Sequence, residues 1–161
     1  MTKPVFGGLL AAASLLLPAA VALAGAPALS IRADVLGERR VAAADGSTAI
    51  RLAAAARVTP GDHVVYQLTY RNTGTAPAAG VVIAYPVPDH VQYAGPVTQD
   101  AAPDVSVDGR TFGPLATLSA RTAAGTSRPA QAGDVRVVRW RLPRAVAAGG
   151  EGRVAFRAVL K

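Results

Sequence analysis

The chain has no cysteine. A disulfide framework and a thiolate metal site are therefore excluded, and so is a thiol nucleophile. Stability must come from an apolar core and from backbone ladders. Histidine is scarce as well: His63 and His90 are the only two, and each borders a turn. Neither has a serine or carboxylate arrangement of catalytic type beside it, and no Gly-x-Ser-x-Gly elbow occurs. Carboxylates number only ten. With no acid–base pair and no activated nucleophile to name, the expectation is a protein that is not an enzyme and needs no cofactor. Asp100, Asp104 and Asp108 are spaced by four. This does not match the Asp-x-Asp-x-Asp-Gly loop that holds calcium, so no metal is expected.

Long apolar runs are confined to the N-terminus. Lys3 supplies a positive start, residues 5–24 carry no charge, and Ala22-Leu23-Ala24 offers the small residues read by a signal peptidase. Residues 1–24 are read as a signal peptide cut before Gly25. The alternative is an uncleaved anchor, because roughly 20 apolar residues can span a bilayer. Pro18, the glycines and the cleavage site favour removal. Residues 25–161 then form one domain with no membrane span, exported to the periplasm, the cell surface or the medium.

Arginine is plentiful where lysine is not. The net charge is +7, or +6 once Lys3 leaves with the signal. Such an excess attracts polyanions. It is also what a GC-rich genome writes by default, with many Ala and Arg and a single Asn, Asn72. The densest basic patch is Arg136, Arg139, Arg141 and Arg144. It is a candidate anion-binding face, with Arg153 and Arg157 expected on a neighbouring strand. Lipopolysaccharide or another anionic envelope component is the expected ligand of such a face. Nucleic acid is the weaker choice.

Strand signals dominate after residue 24. Leu29, Ile31 and Val35 alternate with Ser30, Arg32 and Asp34 until Gly37 breaks the run. Asp45-Gly46 reads as a hairpin turn before a weaker strand at 49–58. The clearest strand covers residues 63–71, with Val64, Tyr66, Leu68 and Tyr70 on one face. Further strands are read at 81–85, at 91–93, on both sides of Asp108-Gly109, at 135–142 with Val138 and Trp140 inward, and at 153–160 with Val154 and Phe156 inward. Residues 116–133 read as a long loop with at most one poor strand. Short strands, frequent turns and no convincing helix predict a single antiparallel β-sandwich of about seven to nine strands. Tyr66, Leu68, Tyr70, Trp140 and Phe156 are its expected core anchors.

Residues 59–93 carry an ordered set of motifs. These are Pro60-Gly61-Asp62, Tyr66 within an alternating strand, Asn72-Thr73-Gly74, Ala76-Pro77-Ala78, Val81-Val82-Ile83 and Pro86-Val87-Pro88. The set resembles the conserved repeat of bacterial and archaeal surface proteins known as domain of unknown function eleven. The later Trp140-Arg141-Leu142 and the glycine-rich turn at 149–152 are similar to the way such repeats close. The resemblance implies an immunoglobulin-like sandwich on an exported protein, used as a building block rather than as an enzyme. The chain departs from the pattern at Tyr85, where an acidic residue is usual, and it holds one copy rather than an array. Some surface sandwiches are stapled by a Lys–Asn bond. The only mature lysine here is Lys161, the last residue, where chains fray.

Within these motifs, Pro60, Gly61, Asp62, Asn72 and Gly74 are expected to shape turns. Asp62 should accept a nearby amide, and Asn72 should tolerate positive φ. The functional expectation is a structural or interaction module. It would meet a protein partner, or a second copy of itself, through strand edges. Residues 29–35 and 153–160 are the edges singled out. The alternative is a periplasmic module that binds an anionic ligand through the arginine-rich strand.

Overall fold

A computed structural model describes residues 29–42, 47–54, 58–98 and 102–161. The signal segment and the Asp45-Gly46 turn lie outside these residues, as does Asp100. Just over half of the described residues are strand, in antiparallel sheets, and the only helical pieces among them are short 3-10 turns. No helix among them is long and apolar enough to cross a membrane.

The larger sheet is built from β1 (Leu29–Ala42), β2 (Thr48–Ala54), β3 (His63–Asn72), β5 (Val91–Pro96) and β10 (Glu151–Leu160), in the order β2-β1-β3-β10-β5. The smaller one contains β4 (Val82–Pro86), β9 (Val137–Arg141) and β6 (Asp104–Ser106), in the order β4-β9-β6. Eight strands thus form the two layers. A separate ribbon pairs β7 (Ser119–Arg121) with β8 (Ser127–Pro129).

Period-two alternation decides which side chains enter the core. On β3, Val64, Tyr66 and Leu68 are buried, as are Val154, Phe156 and Ala158 on β10. On the facing layer Ile83, Val105, Val138 and Trp140 are buried. Phe156 is the centre of this core. Its ring stacks on Tyr66 at 5.1 Å and meets Tyr93, Tyr85 and Trp140 at 6.0, 6.2 and 6.3 Å. The contacts to Tyr85 and Trp140 bridge the two sheets, so one apolar cluster joins the layers.

Four of the five expected anchors are buried. Tyr70 is only half-buried, because it lies where the two layers end. Its rung partner is Gly152, and a Cβ at that position would run into the Tyr70 hydroxyl.

Other details differ from the sequence reading. Gly37 does not end β1. It is the residue at which β1 changes partner, being the last to pair with β3 and lying one rung inside the pairing with β2. The segment after Asp108-Gly109 is not a strand: only an isolated bridge joins Val105 to Gly113. Residues 116–133, read as loop, contain the β7–β8 ribbon and a 3-10 turn, Ala132–Asp134. Arg128 fastens the ribbon to that turn, with two guanidinium nitrogens 2.7 and 2.8 Å from the Asp134 carboxylate. A ribbon with one buried residue, Ala120, has too little apolar alternation to be visible in sequence.

Candidate functional site

The turn residues come first, because they set the ends of β3. Asp62 behaves as expected: its carboxylate accepts the Thr59 amide at 2.7 Å and the Thr59 hydroxyl at 3.0 Å. Those bonds hold its pKa below the usual carboxylate value. Gly61 takes φ +91°, which L side chains avoid.

Asn72 departs from expectation. Its φ is not positive, and it is completely buried. Its amide group donates to the carbonyls of Ala76 at 2.8 Å and Val146 at 3.0 Å, while its side-chain oxygen accepts the Gly74 amide at 2.9 Å. Its backbone also exchanges hydrogen bonds with Gly149 and Gly150. The only asparagine in the chain therefore ties three segments together. Gly74 takes part through its amide rather than through a left-handed backbone.

Asp108 is likewise a turn residue. Its carboxylate accepts the amides of Arg110 and Thr111, both at 2.8 Å, and these bonds hold its pKa far below the carboxylate range. Asp104 is engaged by Arg139 at 3.0 Å.

The four arginines of the expected patch do not act as one surface. Arg139 is largely covered. One terminal nitrogen meets Asp104, the guanidinium lies 3.9 Å above the Phe112 ring, and Nε is buried without a partner. Its charge is thus spent within the fold. Arg136 lies apart, 3.8 Å from the exposed Asp89. Arg144 belongs to the loop beyond β9, beside Pro143 and Glu151.

The expected neighbours are also rearranged, because β9 and β10 belong to different sheets. Arg157 lies on the outer face of the larger sheet. Its guanidinium binds Glu38 at 2.8 Å and the carbonyls of Pro96 and Val97 at 2.9 and 3.1 Å, clamping β1 to the bulged end of β5. Arg153, in contrast, joins Arg139 and Arg141 around a cleft of about 510 Å³ at the end of the sandwich, floored by Tyr70, Trp140 and Leu142.

The edges are the second candidate surface. Residues 153–160 are not an edge: β10 lies between β3 and β5. Residues 29–35 are different. β1 pairs with β3 over Leu29 to Gly37 but with β2 only over Leu36 to Ala42. Among the described residues, positions 29–35 thus have a ladder on one side alone.

From Ile31 to Val35 their inner face is also exposed. Ile31, Ala33 and Val35 share rungs with Tyr70, Leu68 and Tyr66 and so point toward the same layer. Tyr66 and Leu68 are 5% and 1% exposed, whereas Ile31 and Val35 are 49% and 38% exposed. Among the described residues a three-stranded layer faces a five-stranded one, and Ile31, Ala33 and Val35 are left exposed while Leu29 packs half-buried against the core. On the outer face Arg32 pairs with Asp34 of the same strand at 3.0 Å. The result is an open, apolar-faced half-edge seven residues long.

No protein-family model, curated protein or solved structure matches the chain.

Proposed function

We propose that this chain is a non-enzymatic, exported structural or interaction module that works by offering a strand edge to a protein partner. The observation that carries the reading is the half-edge at residues 29–35. Among the described residues it combines backbone groups without a ladder partner with Ile31 and Val35 exposed beside it. Exposed edges of this kind template strand addition, and proteins that do not use them usually blunt them with lysine, proline or a bulge. No lysine, proline or bulge interrupts residues 29–35, and the two charges there, Arg32 and Asp34, are engaged with each other. The resemblance of residues 59–93 to a surface-protein repeat supports export, as does the signal-like N-terminus.

A photo-crosslinking residue at Ser30 tests the edge, with one at Arg153 as control. The reading expects protein adducts at position 30 and none at 153. Equal labelling at both would overturn it. N-terminal sequencing of the secreted chain tests the export step and should begin at Gly25.

A second reading is an anion-binding module. It is favoured by the cleft that joins Arg141 and Arg153, two exposed arginines that no carboxylate engages among the described residues. Arg141→Glu with Arg153→Glu should abolish salt-dependent binding of lipopolysaccharide. Unchanged binding would remove the cleft from consideration.

A further inference from the structure

Resting on the edge reading above, we infer that the partner strand at residues 29–35 is the same segment of a second copy, paired antiparallel about a two-fold axis through Ala33.

The inference comes from the sequence of the free edge combined with its register. Reading from Ile31 to Val35, the residues run apolar, basic, small, acidic, apolar. In an antiparallel pair, residues directly opposite share a face. With the dyad at Ala33, Ile31 faces Val35 of the other copy on the inner side, and Ala33 faces its own counterpart. On the outer side Arg32 faces Asp34, and Asp34 faces Arg32. Each of the five rungs from Ile31 to Val35 is then complementary, as an isologous interface demands.

The neighbouring registers that keep inner face on inner face fail on charge. A dyad at Arg32 sets arginine against arginine, and one at Asp34 sets aspartate against aspartate. Like charges directly opposite are destabilising. A shift by a single residue in the pairing would turn Ile31 and Val35 to the other face.

The charges are already disposed for this. Arg32 and Asp34 form an ion pair within the strand at 3.0 Å, with the Arg32 side chain 81% exposed. Pairing extends that contact into a four-charge network across the dyad. It also covers the apolar residues that the three-stranded layer leaves open. The axis stands perpendicular to the larger sheet, so both small layers lie on one side of a continuous ten-stranded sheet. Leu29 and Ser30 of each copy then compete with Ala53 and Ala54 for Gly37 and Leu36. The two end rungs of the β1–β2 hairpin open when the copies join.

The test uses the chain as the expressing cell processes it, in sedimentation velocity over a concentration series. The protein should self-associate. Arg32→Asp alone and Asp34→Arg alone should each weaken association by about tenfold, because the two-fold counts every lost pair twice. The double exchange, Arg32→Asp with Asp34→Arg, should restore it.

A second experiment exploits the absence of cysteine. Rung partners lie about 4.5–5.5 Å apart at Cα, within disulfide reach. Ala33→Cys should therefore oxidise to a covalent dimer, while Arg32→Cys should not. Circular dichroism of each variant establishes that it is folded.

A monomer at every concentration that still crosslinks another protein from Ser30 would overturn the second copy while leaving the edge reading intact. No adduct from Ser30 would remove both. A dimer indifferent to all three charge variants would overturn this pairing.

Discussion

The two flanks of β3 were written with the same alphabet and met different fates. On one side β10 alternates Val154, Phe156 and Ala158 inward, and all three are buried. On the other, β1 alternates Ile31, Ala33 and Val35 inward at matching rungs, and all three are exposed. The difference lies not in β1 but in the facing layer, which has three strands where the larger sheet has five. Alternation reports which face a strand is built to bury. Whether that face is covered depends on a second sheet whose width no local pattern encodes.

Mutation should tell most at the buried flank. Phe156→Ala removes the ring around which four other aromatic side chains gather. It should cost about 3–5 kcal/mol in urea unfolding. A loss below about 1 kcal/mol would mean that the layers are not held together there.

Asn72→Ala removes the side-chain bonds to the Ala76 and Val146 carbonyls and from the Gly74 amide, while the Val146 carbonyl keeps the Ala78 amide. A loss on the order of 2–3 kcal/mol is expected by the same measurement, since three hydrogen bonds made by one buried side chain are lost together.

Acid should act next, through the turns. The carboxyls of Asp62, Asp108 and Asp134 all titrate below their ordinary values in the folded chain, the first two through backbone amides and the third chiefly through Arg128. A depressed folded pKa means that the unfolded chain binds protons first. This stabilisation is complete above the unfolded value of about 3.9 and is lost as pH falls through the folded values. Urea midpoints should be flat near neutrality and decline below about pH 4. Asp108→Asn should flatten part of that decline.

At the exposed flank the effect on folding should be smallest. Ile31→Ser should shift the stability of the dilute protein by no more than about 0.5 kcal/mol. The same change should weaken self-association, which separates an interaction residue from a core one.

Much of the fold was legible in the sequence. β3, β9 and β10 announce themselves by alternation, and Pro60-Gly61-Asp62 by turn chemistry. Sheet membership was not legible. β9 and β10 are neighbours in the chain but lie in opposite layers, so Arg157 clamps Glu38 instead of joining Arg139 and Arg141. Arg139 itself looked like a free cation, because its partners Asp104 and Phe112 are distant in sequence or on an unrecognised turn. Asn72 looked like a turn former and nothing more because its acceptors, Ala76 and Val146, come together only after folding. At residues 29–35 the alternation was plain, yet nothing in it distinguished a covered face from a bare one.

Residue-resolved hydrogen exchange across positions 29–35 addresses the open edge most directly. Successive amides of a strand point to opposite sides, so those aimed at β3 should be protected while their neighbours exchange freely in dilute solution. The exposed set should gain protection as concentration rises. Uniform protection of all these amides in the dilute monomer would mean that the edge is already occupied, and would contradict the account.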